Sequence, residues 1–408
     1  MGSTMLTGET EKPWLSDRDR TETLENWTVC VISLLGFIAG GVLCYFTWKR
    51  TLLLGKVCLV MEDNFDAFDT ENIWQHEVSM GGFGNAEFEM TTESTNNSFV
   101  RDGHLYIVPT LTSDVIGYDS LFDGYTYNLT GCTDADLTAC GAVSDAVHGT
   151  VIPPVMSARI HTREPYAIRY GRVEISAKLP RGDWLWPALW MLPVNDAYGA
   201  WPRSGEIDIV EARGNGPEYP AHPASSLRLL RRERGIDYVR GSLNWGPFAW
   251  LNGVSKTFGW STRRRKTFAD GFHTYALEWS PQFVRIYVDS RLTDMLTLKF
   301  DEPFFRRGGF PAVTANGSDL IPVNDPWANG TRNVAPFDEP FYLIMSLAVG
   351  GTNGRFPDGV GGKPWLDSSS EAAMRDFAKA QAQWYSTWPQ NIEDRALVID
   401  SVKMWRLC

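Results

Sequence analysis

Three carboxylates fall within six residues of one apolar stretch: Glu206, Asp208 and Glu211, interleaved with Ile207, Ile209 and Val210. Acids this close repel one another unless some are protonated or hydrogen-bonded, so their grouping points to proton transfer or nucleophilic chemistry. The β-branched residues between them argue for a strand, and Gly205 and Gly214 punctuate its ends. Side chains alternate along a strand, so Glu206 and Asp208 share a face. Glu211 stands at an odd offset from both and would point away. A β-bulge near Ile209 and Val210 would add one residue and return it to the acidic face. The plain alternative is a solvated strand face bearing ordinary surface acids.

Cleavage of a glycosidic bond with retention gives such a cluster a purpose. It needs a carboxylate nucleophile and a carboxylic acid roughly 5–5.5 Å apart across the scissile bond. One bulged strand could hold both. The chain also carries 17 Trp, whose faces suit pyranose rings as well as a sandwich core. Trp184, Trp186 and Trp190 lie on the strand before the acids, at even offsets from one another, and so share one face.

The stretch GEIDIVE resembles the active-site signature of glycoside hydrolase family 16, in the bulged form of its laminarinase-like members. Its flanks agree: YGRVEISAKLPRGDWLWPALWMLP at residues 170–193 and FHTYALEWSPQFVRIYVD at 272–289. SARI at 157–160, FYLIMSLAVGG at 341–351 and LVIDSVKMW at 397–405 extend the match over most of residues 62–408. Invertebrate β-1,3-glucan recognition proteins look similar through the same stretch. The resemblance implies a two-sheet jelly roll with a concave cleft, Glu206 as nucleophile, and Glu211 as acid and then base. Asp208 would keep the protonation states of the other two apart. Charge on its neighbours would raise Glu211, so the expected resting state is ionised Glu206 beside neutral Glu211. By the same resemblance Trp186 and Trp190 are sugar platforms. Trp184 shares their face and is a substrate-binding candidate with them, core packing being the alternative for at least one of the three. Trp201, Trp245 and Trp279 are weaker candidates. Arg159, within SARI, either binds sugar hydroxyls or pairs with a buried acid.

Three departures from the family pattern stand out. Asn244 occupies a place where many laminarinase-like relatives carry His, keeping hydrogen-bonding capacity without a titratable ring. Residues 222–235, HPASSLRLLRRERG, read as an insertion or a basic loop over the cleft. Residues 114–149 form an elaborated loop of the kind found in glucan-recognition relatives. The basic run at 263–266 reads as a solvated loop.

Ahead of this domain lies a polar segment, residues 1–26, expected to be disordered and cytosolic. Residues 27–48 contain no charge and end at Lys49-Arg50, long enough to cross a hydrocarbon core of about 30 Å. Trp27, Tyr45 and Trp48 sit where interfacial aromatics belong. The expectation is a signal-anchor helix, a linker at 49–61 and a catalytic domain at 62–408. Flanking charges do not decide orientation. Sequons at Asn96, Asn128, Asn316 and Asn329 favour a type II arrangement with the domain luminal or extracellular. Cys132 with Cys140, and Cys58 with Cys408, are candidate disulfides that such a compartment would permit.

From residue 62 onward short alternating stretches are separated by Gly, Pro, Asn and Asp, an all-β texture that favours a two-sheet sandwich. The main helix is expected at 370–384. A formal net charge of −11 gives no support to nucleic acid as a partner. No Cys/His spacing suggests zinc, no cofactor is called for, and a structural calcium of the family type has no nameable site. The expected function is a retaining endo-β-glucanase or glucan transglycosylase acting on cell-wall β-glucan, in the manner of a fungal membrane-anchored member. The alternatives are a β-glucan lectin on the same fold and a β-1,6-glucan assembly factor.

Overall fold

The computed structural model describes Met5, Gly8 and residues 12–15, 20–219 and 234–408. The insertion expected at 222–235 lies almost wholly outside the described residues. Two compact units divide the chain, Met1–Leu53 and Leu54–Cys408.

The first unit contains one long helix, Arg20–Arg50, of 31 residues. At 1.5 Å per residue its length is roughly 46 Å, more than a bilayer core requires. It begins earlier than the uncharged run, so Arg20 to Asn26 are helical rather than disordered. The apolar residues that follow supply no interruption, and Glu22 in the first turn favours the helix N-terminus. Cys30 and Cys44 are free and exposed on it.

The second unit is a β-sandwich. Among the described residues one seven-stranded sheet runs Phe258–Thr262, Tyr238–Asn244, Glu206–Ala212, Leu185–Pro193, Phe341–Val349, Arg159–Thr162, Trp74–His76. The opposing sheet has eight strands, with Gly171–Lys178 and the closing Leu397–Leu407 at its centre. Gly171–Lys178 alternates buried and half-buried positions, the pattern of a sheet with one face in a core. Val173 and Ile175 from that sheet join Leu189, Ile207 and Ile209 from the other in one continuous apolar core. Burial of these side chains holds the sheets together and leaves the outer face of the seven-stranded sheet for the acids.

The unit starts ahead of residue 62. Strand Val57–Asp63 pairs with Leu397–Leu407, and Cys58 is bonded to Cys408. The bond ties the first strand to the last across 350 residues, a loop whose closure in the unfolded chain is entropically costly. Cys132 and Cys140 are bonded within the elaborated loop, which packs around its own small cluster of Met90, Leu121, Ile152 and Met156. Asn96, Asn128, Asn316 and Asn329 are all exposed. The expected helix at 370–384 is two helices, Ser370–Lys379 and Gln381–Tyr385, broken at Ala380. Arg263, in the basic run, is tied to Asp289 at 3.3 Å and is not simply solvated.

Candidate active site

The acidic strand Glu206–Ala212 enters from Gly205, whose φ of +84° is one that glycine adopts without strain. Its pairing shifts between Asp208 and Glu211 against Tyr238–Asn244, and between Leu189 and Trp190 on its other side. That is a bulge, and it places Glu206, Asp208 and Glu211 together on the wall of a cavity of about 830 Å³. Ile207, Ile209 and Val210 are buried beneath.

Glu206 is held by several donors. Trp201 Nε1 donates to its Oε2 at 2.8 Å, and Asn244 Nδ2 donates to its Oε1 at 2.8 Å. Asn244 Nδ2 also donates to Asp208 Oδ2 at 2.8 Å, and Ser242 Oγ donates to that oxygen at 2.6 Å. Asn252 Nδ2 completes the chain by donating to Asn244 Oδ1 at 2.8 Å. The amide at 244 thus bridges the two acids and contributes no proton of its own.

Burial, followed by the charges of Glu206 and Glu211, pushes the Asp208 carboxyl well above its ordinary range. With Oδ2 already accepting two hydrogen bonds, the proton on Asp208 is placed to serve its hydrogen bond with Glu206. Burial also raises Glu206, offset in part by that bond and by Trp201. Glu211 goes the other way. Burial alone would raise it, but Arg355, Arg240, the Trp186 N–H and Arg213 outweigh burial and hold it below the ordinary carboxylate range. Arg355 Nη1 lies 3.3 Å from Glu211 Oε1, Arg240 Nε lies 3.9 Å from Oε2, and Trp186 Nε1 donates to Oε1 at 3.1 Å. Burial draws Arg355 down to about 10, still charged at neutral pH. The resting state therefore differs from the one expected. Asp208 is the acid pushed up and Glu211 the one held down, because three arginines surround Glu211.

The aromatic candidates separate. Trp186 and Trp190, on Leu185–Pro193, line the cleft. Trp184 does not. It precedes the regular strand at φ +70°, so alternation does not reach it, and it is buried against Phe356 and Trp365. Trp245 is a second correction. Asn244 faces the cleft, so the next side chain points inward, where Trp245 donates to Thr257 Oγ1 and packs on Phe304. Trp279 is likewise buried, on Tyr170 and Phe341. Trp201 stands in the cleft, 47% exposed.

Arg159 combines an ion pair with a place on the cleft wall. It pairs with Glu77 at 2.8 Å while lining the cleft, its guanidinium 4.6 Å from the Trp190 ring and 4.1 Å from that of Phe83. The sequence reading missed Arg355, Arg240, Tyr238, Asn252 and Phe83. Only Arg355 left a legible trace, as a charge in the Gly-rich turn after SLAVGG. Among the described residues no cluster of three or more His, Cys, Asp or Glu could hold a metal ion.

No family model matches the chain. Individual proteins do. A β-1,3-glucan-binding protein of Penaeus monodon is 41% identical over 362 residues, spanning 86% of this chain and 90% of that protein. Glucan endo-1,3-beta-glucosidase A1 of Niallia circulans is 31% identical over 313 residues, 74% of this chain and 35% of that protein. The laminarinase of Rhodothermus marinus matches in structure with a TM-score of 0.50 and 26% identity, over 87% of this chain and 100% of its own. With this sandwich, this cleft and these relatives, the chain belongs to the β-1,3-glucan-binding protein family, built on the laminarinase-like jelly roll of glycoside hydrolase family 16.

Proposed function

We propose that the chain binds β-1,3-glucan along the concave cleft and cleaves or transfers it with retention of configuration. The observation that carries this reading is the bulge that brings three acids onto one cleft wall beside Trp186 and Trp190. Glu206, supported by three donors, attacks the anomeric carbon. Glu211 protonates the leaving oxygen and then activates water or a sugar hydroxyl. Asp208 holds its proton next to Glu206 and keeps that neighbour ionised. The family name of the shrimp relative supports the ligand, and that of the bacterial glucosidase supports the reaction.

A second reading has its own support. The arginines around Glu211 hold it below the ordinary carboxylate range, which disfavours the protonated acid and suits a lectin that grips glucan and does not cut it. The two readings share the binding step. Trp190→Ala should weaken laminarin binding about tenfold by removing a platform and a partner of Arg159. Calorimetric titration checks this, and an unchanged affinity would move the glucan out of the cleft.

The helix Arg20–Arg50 serves in this proposal as a type II anchor, with the glucan-binding unit luminal or extracellular. The disulfides and the exposed sequons support that compartment. The shrimp and bacterial relatives lend the fungal, wall-assembly expectation no support.

A further inference from the structure

The seven-stranded sheet ends in an edge strand, Phe258–Thr262. Register fixes which of its side chains face the cleft. Glu211 lies opposite Arg240, and Arg240 lies opposite Trp260. Side chains directly opposite on neighbouring strands share a face. The three therefore form a row, and two strand spacings put Trp260 roughly 10 Å from Glu211 along the sheet.

Trp260 is 54% exposed, and its ring stacks on Phe258 with centroids 5.9 Å apart and planes 29° apart. Phe258 itself lines the cleft and lies 5.2 Å from the Arg240 guanidinium. Phe258 thus links the cleft wall to an aromatic shelf, Trp260, at the sheet edge. The shelf is held from behind. Gly259 is buried, and a Cβ there would meet the Met295 carbonyl oxygen at 1.6 Å, so the strand is pressed against the opposing sheet and Trp260 is turned outward. Edge strands are ordinarily blunted with charge, and an exposed tryptophan on one is a liability unless something covers it.

We propose that Trp260, stacked on Phe258, is an outer sugar-binding platform for the stretch of β-1,3-glucan that leaves the cleft past Arg240. The proposal rests on the glucan-binding reading above and adds to it a preference for longer chains. Short oligomers are held by Trp186, Trp190 and Arg159, and only chains that run beyond Glu211 reach the shelf. An open tryptophan face at the end of an existing cleft suits a pyranose ring, which is apolar on its faces and polar at its rim.

The test is calorimetric binding of laminaritriose and laminariheptaose to the full chain carrying Glu206→Gln, so that no oligomer is consumed. Trp260→Ala on that background should weaken heptaose binding about tenfold and triose binding less than about twofold. Trp260→Phe should recover most of the loss, with melting temperatures unchanged across the set. Equal heptaose affinity with and without the tryptophan overturns the platform and leaves the cleft reading intact. An equal loss for both oligomers overturns it too, since an outer platform must discriminate by length. If the parent binds neither oligomer, the glucan-binding reading fails and the platform with it.

Discussion

Replacing Glu206 by Gln should lower glucan cleavage by at least roughly 10³-fold while glucan affinity stays within about threefold, because only the covalent step needs the carboxylate. The amide keeps the shape of the side chain and one acceptor for either Trp201 or Asn244. It cannot form the glycosyl ester. One hydrogen bond in the network is lost, since Trp201 and Asn244 both donate and an amide offers them a single oxygen. The neighbouring Asp208 also loses the negative charge that helps hold its proton. None of these changes touches Trp186, Trp190 or Arg159. Product sizing on laminarin, set beside calorimetric binding, checks both halves. Cleavage within tenfold of wild type would place the nucleophile elsewhere.

The second large effect concerns Arg355. Glu211 must carry a proton to assist the leaving group, and the arginines around it hold it below the ordinary carboxylate range. At neutral pH the protonated form is therefore the minor one, and it grows as pH falls. Cleavage should rise with acidity and level off where Glu206, raised by burial, begins to take a proton itself, while binding to the aromatic platforms stays flat. Arg355→Met keeps a long stem against Trp186 and removes the charge 3.3 Å from Glu211. Loss of that opposite charge should raise Glu211 and increase cleavage at pH 7 roughly tenfold. Arg355→Lys keeps the charge and should leave the acid limb near that of wild type. The measurement is kcat against pH for the three proteins. Coincident profiles for wild type and Arg355→Met would show that Arg355 does not set the proton on Glu211. The same clamp suits the second half of a retaining reaction, where Glu211 must be a base.

The acids could be read from the sequence because strand alternation makes the odd offset of Glu211 conspicuous, and a bulge is the only local remedy. Trp186 and Trp190 were legible for the same reason, lying an even number of residues apart on one strand. Trp184 was not, since its positive φ ends the alternation and no periodicity announces where a strand begins. Trp245 was misplaced by its neighbourhood, adjacent in sequence to Asn244 and on the opposite face of the strand. The proton's location was hidden more deeply. Arg355 lies 144 residues beyond Glu211, and only the turn after Phe341–Val349 brings it across. A reading confined to the acidic strand sees carboxylates that repel one another and so protonates Glu211. With the arginines in place Glu211 is lowered, and Asp208 is the acid that burial and its charged neighbours raise.

The most direct test of the covalent, two-carboxylate account uses the unit Leu54–Cys408 with Glu211→Gln and a β-laminaribiosyl fluoride. Fluoride departs without a proton, so attack by Glu206 can proceed in the absence of the acid. Release of the enzyme then stalls, because the base that activates water is missing. Intact-mass measurement should show the protein gaining one laminaribiosyl group, mapped to Glu206 and formed with stoichiometric fluoride release. An unchanged mass with no fluoride released, from a protein that still binds laminari-oligosaccharides, would contradict the account and leave a glucan lectin in its place.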